Sequence, residues 1–230
     1  MNIQELIIIW SEVWAFLIPL AIIVLFSPRG KNVSLLIAYV ITGFVLNFCA
    51  IFTLVYPNLV PAFLKYNNNI FYNVHSFVMV ILLGLFVIKV RPIKYIVALK
   101  GLIAFYVTFV GINFVFFQSP MMYSTIHFTI GSILLLILCS FYFINSIQED
   151  SKIDSLKHPS FIIASGISLY HGITFFIFLF LGPMFNEKYN NDPQFARLMM
   201  KITQLSFVIF CILIAIGLYQ YRFRVKKRDT

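Results

Sequence analysis

The segment FYNVHSFVMVILLGLFVIK, from Phe71 to Lys89, is a long apolar run with a polar beginning and a basic end. About 20 consecutive apolar residues are enough to cross the roughly 30 Å hydrocarbon core of a bilayer as a helix. Soluble domains are about half apolar and about a quarter charged, whereas this chain is 61% hydrophobic and 11% charged. The segment therefore predicts a transmembrane helix, and the composition predicts that most of the chain is built in the same way.

Similar apolar runs flank this segment on both sides, and together they predict an all-α polytopic membrane protein with a seven-transmembrane-helix bundle. The connections between the runs are too short for a separate folded module, so we expect one domain over residues 1–230. The first run starts with acidic rather than basic residues and has no small-residue cleavage pattern, so we expect it to be retained. The predicted spans lie near residues 7–26, 33–56, 69–90, 94–117, 122–146, 160–184 and 198–221.

Most of the 17 lysine and arginine residues fall on one side of this arrangement. Because basic residues near span ends stay in the cytoplasm, we expect the amino terminus outside and the carboxyl terminus inside. The same residues account for the formal net charge of +9, so we expect no nucleic-acid partner. The carboxyl-terminal YRFRVKKRDT is expected to lie on anionic membrane lipid. Only four basic residues belong to the other side: Lys65, Lys188, Arg197 and Lys201.

Glu12 lies inside the first apolar run, in IIWSEVWAFL, from Ile8 to Leu17. An ionisable group in hydrocarbon costs several kcal/mol unless it faces a partner or a wet cavity. Trp10 and Trp14 are four residues apart and share a helix face, whereas Glu12 is about 200° away from each of them. If the tryptophans face lipid at the membrane interface, Glu12 faces the interior of the bundle.

Histidines provide the next polar groups inside the predicted spans. At about 1.5 Å per residue, His75 and His127 come out at roughly the same depth as Glu12, about 8 to 9 Å below the outer edge, while His171 comes out roughly 15 to 20 Å deep. Further Asn, Tyr and Gln residues fall in the same outer half, which predicts a polar cavity there. The candidate ligand-binding residues are Glu12, Asn47, Tyr72, His75, Asn113, Tyr123, His127, His171 and Gln204.

Several interpretations of this polar layer remain open. The polar groups can hydrogen-bond one another and fix helix register, or they can form the pocket of a non-enzymatic receptor-like or accessory subunit for a small ligand, lipid or partner segment. We favour the second interpretation, with the basic loops and tail contacting a partner membrane or cytoplasmic protein, and with no cofactor and no catalytic residue.

Two alternatives involve other chemistry. A zinc-dependent intramembrane hydrolase of the adiponectin-receptor or alkaline-ceramidase type would use His75, His127, His171 and Glu12 as metal ligands. The absence of an in-span aspartate and the depth of His171 count against it. A transporter coupled to protons or ions would be expected to have paired acids or broken helices near the middle of the membrane. Glu12 is the one acid in a predicted span, so transport is a minor alternative.

Four segments together carry a resemblance to a known group: AFLIPLAIIVLF, FYNVHSFVMVILLGLFVIK, SILLLILCSFYFINSI and HPSFIIASGISLYHGITFFIFLF. The chain resembles a broad group of bacterial seven-helix integral membrane proteins, similar to the membrane sensor modules of signalling kinases. Tyr72, Asn73 and His75 match the aromatic and polar pattern of that group on the third helix, whereas His171 departs from it. The resemblance implies a multi-pass protein of the bacterial inner membrane and no particular activity.

Overall fold

The chain folds into helices joined by short connections. The computed structural model describes residues 10–30, 32–65, 67–90, 96–149, 158–184 and 193–226. In these ranges there are seven α-helices, and short 3-10 turns occupy Pro57–Leu59 and Ala62–Leu64. The helices are α1 Ser11–Phe26, α2 Val33–Val55, α3 Asn69–Val90, α4 Ile96–Ile112, α5 Thr125–Glu149, α6 Pro159–Met184 and α7 Pro193–Lys226. The all-α prediction is confirmed.

Six of the described helices, α2 to α7, are long and apolar enough to cross a membrane. The prediction of a multi-pass helical membrane protein is confirmed at this level. Helix α1 is apolar but only 16 residues long, about 24 Å at the usual rise. The predicted first span began at residue 7, and residues 7–9 lie outside the described ranges. That the chain crosses the membrane seven times therefore stays a prediction.

Helix α7 is much longer than its predicted span, 198–221. It has 34 residues, about 51 Å, whereas the hydrocarbon core needs only about 30 Å. Arg197 and Lys201 near its start and Arg222 near its end are exposed. The charged ends of the helix therefore extend beyond the apolar section, which a hydropathy pattern alone does not detect.

Six of the helices form a closed ring. In order around the ring, α1 packs on α2, α2 on α3, α3 on α5, α5 on α6, α6 on α7, and α7 again on α1. Helix α4 lies outside the ring and packs on α3 and α5. It continues into a π-helical turn, Asn113–Phe117. This arrangement determines which polar residues can meet in the centre of the bundle.

The two ends of the ring differ in character. At one end the finish of α3 meets the start of α2, where the Asn32 side-chain amide donates to the Lys89 carbonyl at 3.0 Å. The finishes of α1 and α7 meet there too, with the Phe26 and Tyr219 rings 5.1 Å apart. We call this the basic end, and the opposite one, where α3 and α5 begin, the polar end.

The half of the ring near the basic end is filled by apolar side chains. Every helix of the ring contributes to one continuous hydrophobic core. This core lies on the basic side of the cavity described below. Its fully buried members include Leu36, Leu83, Leu135, Leu138, Ile163, Ile167, Phe210 and Ile214.

Candidate ligand-binding cavity

A cavity of about 690 Å³ opens into the polar half of the ring. All six ring helices contribute side chains to its wall, whereas α4 contributes none. Its size falls in the usual range for small-molecule sites, about 300 to 1,000 Å³. Seven of the nine predicted site residues line it: Glu12, Asn47, Tyr72, His75, Tyr123, His171 and Gln204.

The cavity is deep and is closed at its inner end. Along α3 its wall runs from Asn69 to Val80, roughly 16 Å at about 1.5 Å per residue. The next turn of α3 carries Leu83, which packs in the apolar core with Leu135 and Phe210, all three without exposed surface. The cavity is therefore a pocket with a floor and not a channel through the bundle.

Glu12 provides the one carboxyl group among the described residues that line the cavity. Its side chain is half-buried and faces the cavity, while Trp14 on the opposite face of α1 is 49% exposed. The Tyr72 hydroxyl lies close enough to act as a hydrogen-bond donor to the Glu12 carboxylate. No lysine or arginine is among the described residues that line the cavity. The carboxylate therefore faces the cavity without a compensating positive side chain on the described wall.

Two histidines bring ring nitrogens to the wall. The Nδ1 atom of His171 lies 3.0 Å from the Ser132 hydroxyl oxygen, and the His75 ring stacks on Tyr39 with 6.2 Å between ring centroids. Both side chains are buried, and among the described residues neither Nε2 atom has a hydrogen-bond partner. Each Nε2 atom has almost no exposed surface, so these two nitrogens lie within the wall and not on the surface that a molecule in the cavity would touch.

Aromatic rings cover much of the remaining wall. Tyr123 stacks on Phe128 with 4.8 Å between centroids, and Phe128 contacts Phe178 at 5.0 Å. On the other side, the Tyr170 and Phe207 rings are 5.5 Å apart. All five line the cavity. The pocket therefore combines a carboxylate and two imidazoles with an extensive aromatic surface.

The structure does not bring His127 into this pocket. Its fully buried ring lies between α5 and α4, 5.7 Å from the Tyr106 ring and 5.5 Å from the Phe114 ring. The neighbouring Phe128 faces the cavity instead, because successive residues on a helix are about 100° apart. The depth expected for His127 from the sequence matches that of Glu12 and His75, but the His127 ring points toward α4 instead of the cavity.

Asn113 is also separated from the cavity, because α4 lies outside the ring. Its side-chain amide nitrogen donates to the side-chain oxygen Oε1 of Gln118 at 3.2 Å and to the Ser124 hydroxyl oxygen at 3.4 Å. The Ser124 hydroxyl donates in turn to Gln118 at 2.5 Å. These bonds hold the connection between α4 and α5, so Asn113 has a structural partner set here rather than a place on the cavity wall.

His171 lies on the cavity wall although the depth estimate placed it below the other polar groups. The cavity is deeper than the layer that the sequence suggested, since its wall reaches Val80 on α3 and Ser132 on α5. His171 and His75 therefore face the same cavity, although the sequence placed them at different depths.

Several polar wall residues were missed by the sequence analysis. Ser76, Ser132, Thr174 and Thr203 are buried and line the cavity, but Ser and Thr in apolar helices are too common to indicate a site. Asn73 has another role, because its amide donates to the carbonyls of Pro120 and Met122, both at 2.8 Å. These bonds position the loop that carries Tyr123.

A metal site has no support in the part of the chain that the structure describes. No three His, Cys, Asp or Glu side chains there are grouped closely enough to hold a metal ion. Of the four ligands considered for zinc, His127 points away from the cavity toward α4. The zinc hydrolase alternative therefore gains nothing from the geometry.

Fold and site together define a class: an α-helical, multi-pass membrane bundle with a cavity at one end. Polar and aromatic side chains line this cavity, and apolar residues close its inner end. Comparison with protein-family models, curated proteins and solved structures found no match. The resemblance to bacterial seven-helix proteins therefore stays an expectation, and the chemistry of the cavity wall must carry the functional argument.

Proposed function

We propose that this chain is a receptor-like or accessory subunit of a membrane that binds a small ligand, lipid or partner segment in the cavity at its polar end. The observation that carries the proposal is the 690 Å³ cavity itself, in which polar groups from separate helices converge on open space. A bundle that used these groups only to fix helix register would pair them with one another. Here Glu12 on α1 and Gln204 on α7 face the same open space.

Binding agrees with the shape of the cavity better than passage through the bundle does. The apolar core beneath the cavity includes Leu83, Leu135 and Phe210, each without exposed surface. The floor therefore argues against a continuously open channel. A transporter that alternates its access also closes one end of its site, so transport stays the minor alternative.

The orientation, the location and the partner extend the proposal. We place the polar end outside and the basic end in the cytoplasm of a bacterial inner membrane, because basic residues collect at the inner ends of spans. The basic loops and tail would then meet anionic lipid and a partner membrane or cytoplasmic protein. Much of that basic sequence, residues 91–95, 150–157 and 227–230, lies outside the described ranges.

Cysteine labelling in spheroplasts tests the orientation. Asn58 in the 3-10 turn after α2 and Gln148 near the end of α5 are both exposed and lie at opposite ends of the bundle. In a Cys49→Ala background, we expect Asn58→Cys to react with a membrane-impermeant maleimide before lysis and Gln148→Cys only after lysis. The reverse order would show that the polar end faces the cytoplasm.

A second labelling experiment tests whether water and small molecules enter the cavity. Gln204 is half-buried on its wall, and the next residue on α7, Leu205, is 62% exposed on the outside of the bundle. We expect Gln204→Cys to react at least about tenfold faster than Leu205→Cys with hydrophilic methanethiosulfonates, cationic or anionic. The thiolate is the reactive form, and it is disfavoured against lipid.

The native cysteines provide an internal control for this experiment. Cys139 and Cys211 have no exposed surface and belong to the apolar core, so neither should react in the folded protein. If Gln204→Cys were as unreactive as these two, the cavity would be closed to solutes and the proposed function would fail.

A further inference from the structure

We propose that the occupant of this cavity is an organic cation: a protonated amine attached to an apolar, ring-sized body. This inference rests on the proposed function, because it names the ligand class of the same cavity. Two independent features of the wall support it: its charged groups and its aromatic surface.

The charge of the wall selects against anions. Glu12 faces the cavity, and the described lining residues include no lysine or arginine to balance it or to bind a carboxylate or phosphate. An anionic ligand would therefore meet an acidic group and no lysine or arginine on the described wall, and like charges brought together disfavour binding. A cation meets the opposite situation and supplies the charge that the wall lacks.

The aromatic surface suits an ammonium group on an apolar body. The faces of tyrosine and phenylalanine attract cations within about 6 Å of the ring centroid. Tyr72 is within hydrogen-bonding reach of Glu12, so a cation paired with the carboxylate lies beside a tyrosine ring. Phe128, Phe178 and Phe207 provide apolar area for the rest of the molecule.

A matched series of probes tests the inference with the full chain purified into nanodiscs of phosphatidylglycerol. The probes are 2-phenylethylamine, 2-phenylethanol and 3-phenylpropanoate, which present a cation, a neutral group and an anion on similar phenylalkyl bodies. By calorimetry, we expect the amine to bind at least about tenfold more tightly than either of the other two, which corresponds to about 1.4 kcal/mol.

Two substitutions at one position separate charge from shape. Glu12→Gln is expected to weaken amine binding about tenfold or more and to leave the alcohol nearly unchanged, because it removes only the charge. Glu12→Asp keeps the charge and should retain the preference for the amine. Size-exclusion profiles and melting temperatures without probe establish that both variants fold.

Three results would overturn the inference: equal binding of amine and alcohol by the parent chain, persistence of the amine preference in Glu12→Gln, or no amine binding at all. If any of these occurred while Gln204→Cys still reacted with both methanethiosulfonates, the cavity would remain a binding site of another specificity. If Gln204→Cys were unreactive as well, the proposed function itself would have failed.

Discussion

Replacing Phe16 by alanine is expected to destabilise the bundle by about 3 kcal/mol or more. Burial of large aromatic side chains in soluble cores contributes about 3–5 kcal/mol by this measure. Phe16 has no exposed surface, and its ring lies 5.7 Å from Tyr39, 5.9 Å from His75 and 5.1 Å from Phe207. One side chain of α1 thereby contacts α2, α3 and α7. Its removal leaves a space that lipid tails cannot reach.

Reversible unfolding in mixed micelles measures this effect, and Phe105→Ala is the matched control. Phe105 on α4 is 66% exposed on the outside of the bundle, so the same chemical change there leaves a gap that lipid fills. We expect its effect to stay within about 1 kcal/mol. Equal losses in the two variants would contradict the role assigned to Phe16.

Gly43 on α2 gives an independent check of this packing. A Cβ atom at that position would lie 2.3 Å from the Phe16 Cζ atom, so Gly43→Ala also forces the Phe16 ring out of its place. The double variant with Phe16→Leu should recover part of the loss, because the shorter side chain withdraws from the added methyl. Strict additivity of the two single effects would show that the residues do not interact.

Gly217→Ala is expected to loosen the contact between α6 and α7 and to cost about 1–3 kcal/mol, the usual range for overpacking. An added Cβ would lie 2.4 Å from Ile163 Cγ1 and 3.1 Å from the Pro159 carbonyl oxygen. Ile163 is fully buried, so its side chain has no space to rotate into. The backbone oxygen moves only if the whole start of α6 moves.

Gly101→Ala is the control for this substitution. Nothing lies within 4 Å of a Cβ built on Gly101, which also lies inside a helix. Since alanine is a better helix former than glycine by about 1 kcal/mol, that variant should be as stable as the parent or slightly more so. The melting temperature in detergent should therefore fall for Gly217→Ala and not for Gly101→Ala.

The sequence predicted the helical elements well because apolar run length has a direct physical meaning in a bilayer. The span predicted at 69–90 coincides with Asn69–Val90, and the one at 33–56 differs from Val33–Val55 by a single residue. The span at 198–221 agrees with the apolar section Arg197–Arg222 to within one residue at each end, and α7 continues beyond it into charged turns. Hydropathy detects where a helix leaves the hydrocarbon and not where it ends.

The position of Glu12 also followed from local geometry. Glu12 and Trp14 lie on opposite faces of α1, so the direction of Glu12 relative to Trp14 needed no knowledge of the other helices. Trp10 lies before the helix and its ring packs 5.7 Å from that of Phe48 on α2. The same kind of reasoning gave an expected depth for His127 and did not determine its neighbours. The depth of a residue along its own helix follows from the local sequence. Which helices pack beside that residue depends on distant parts of the chain.

By itself, the sequence determined that this chain is an apolar helical bundle with polar groups concentrated in one half, because composition, run length and helical rise are properties of each segment alone. Only the tertiary structure decided that α4 lies outside the ring, which removes Asn113 and His127 from the cavity wall and leaves His75 and His171 among the residues that line it. The order of helices around a ring depends on side-chain packing between segments distant in sequence, and no pattern within one segment records it.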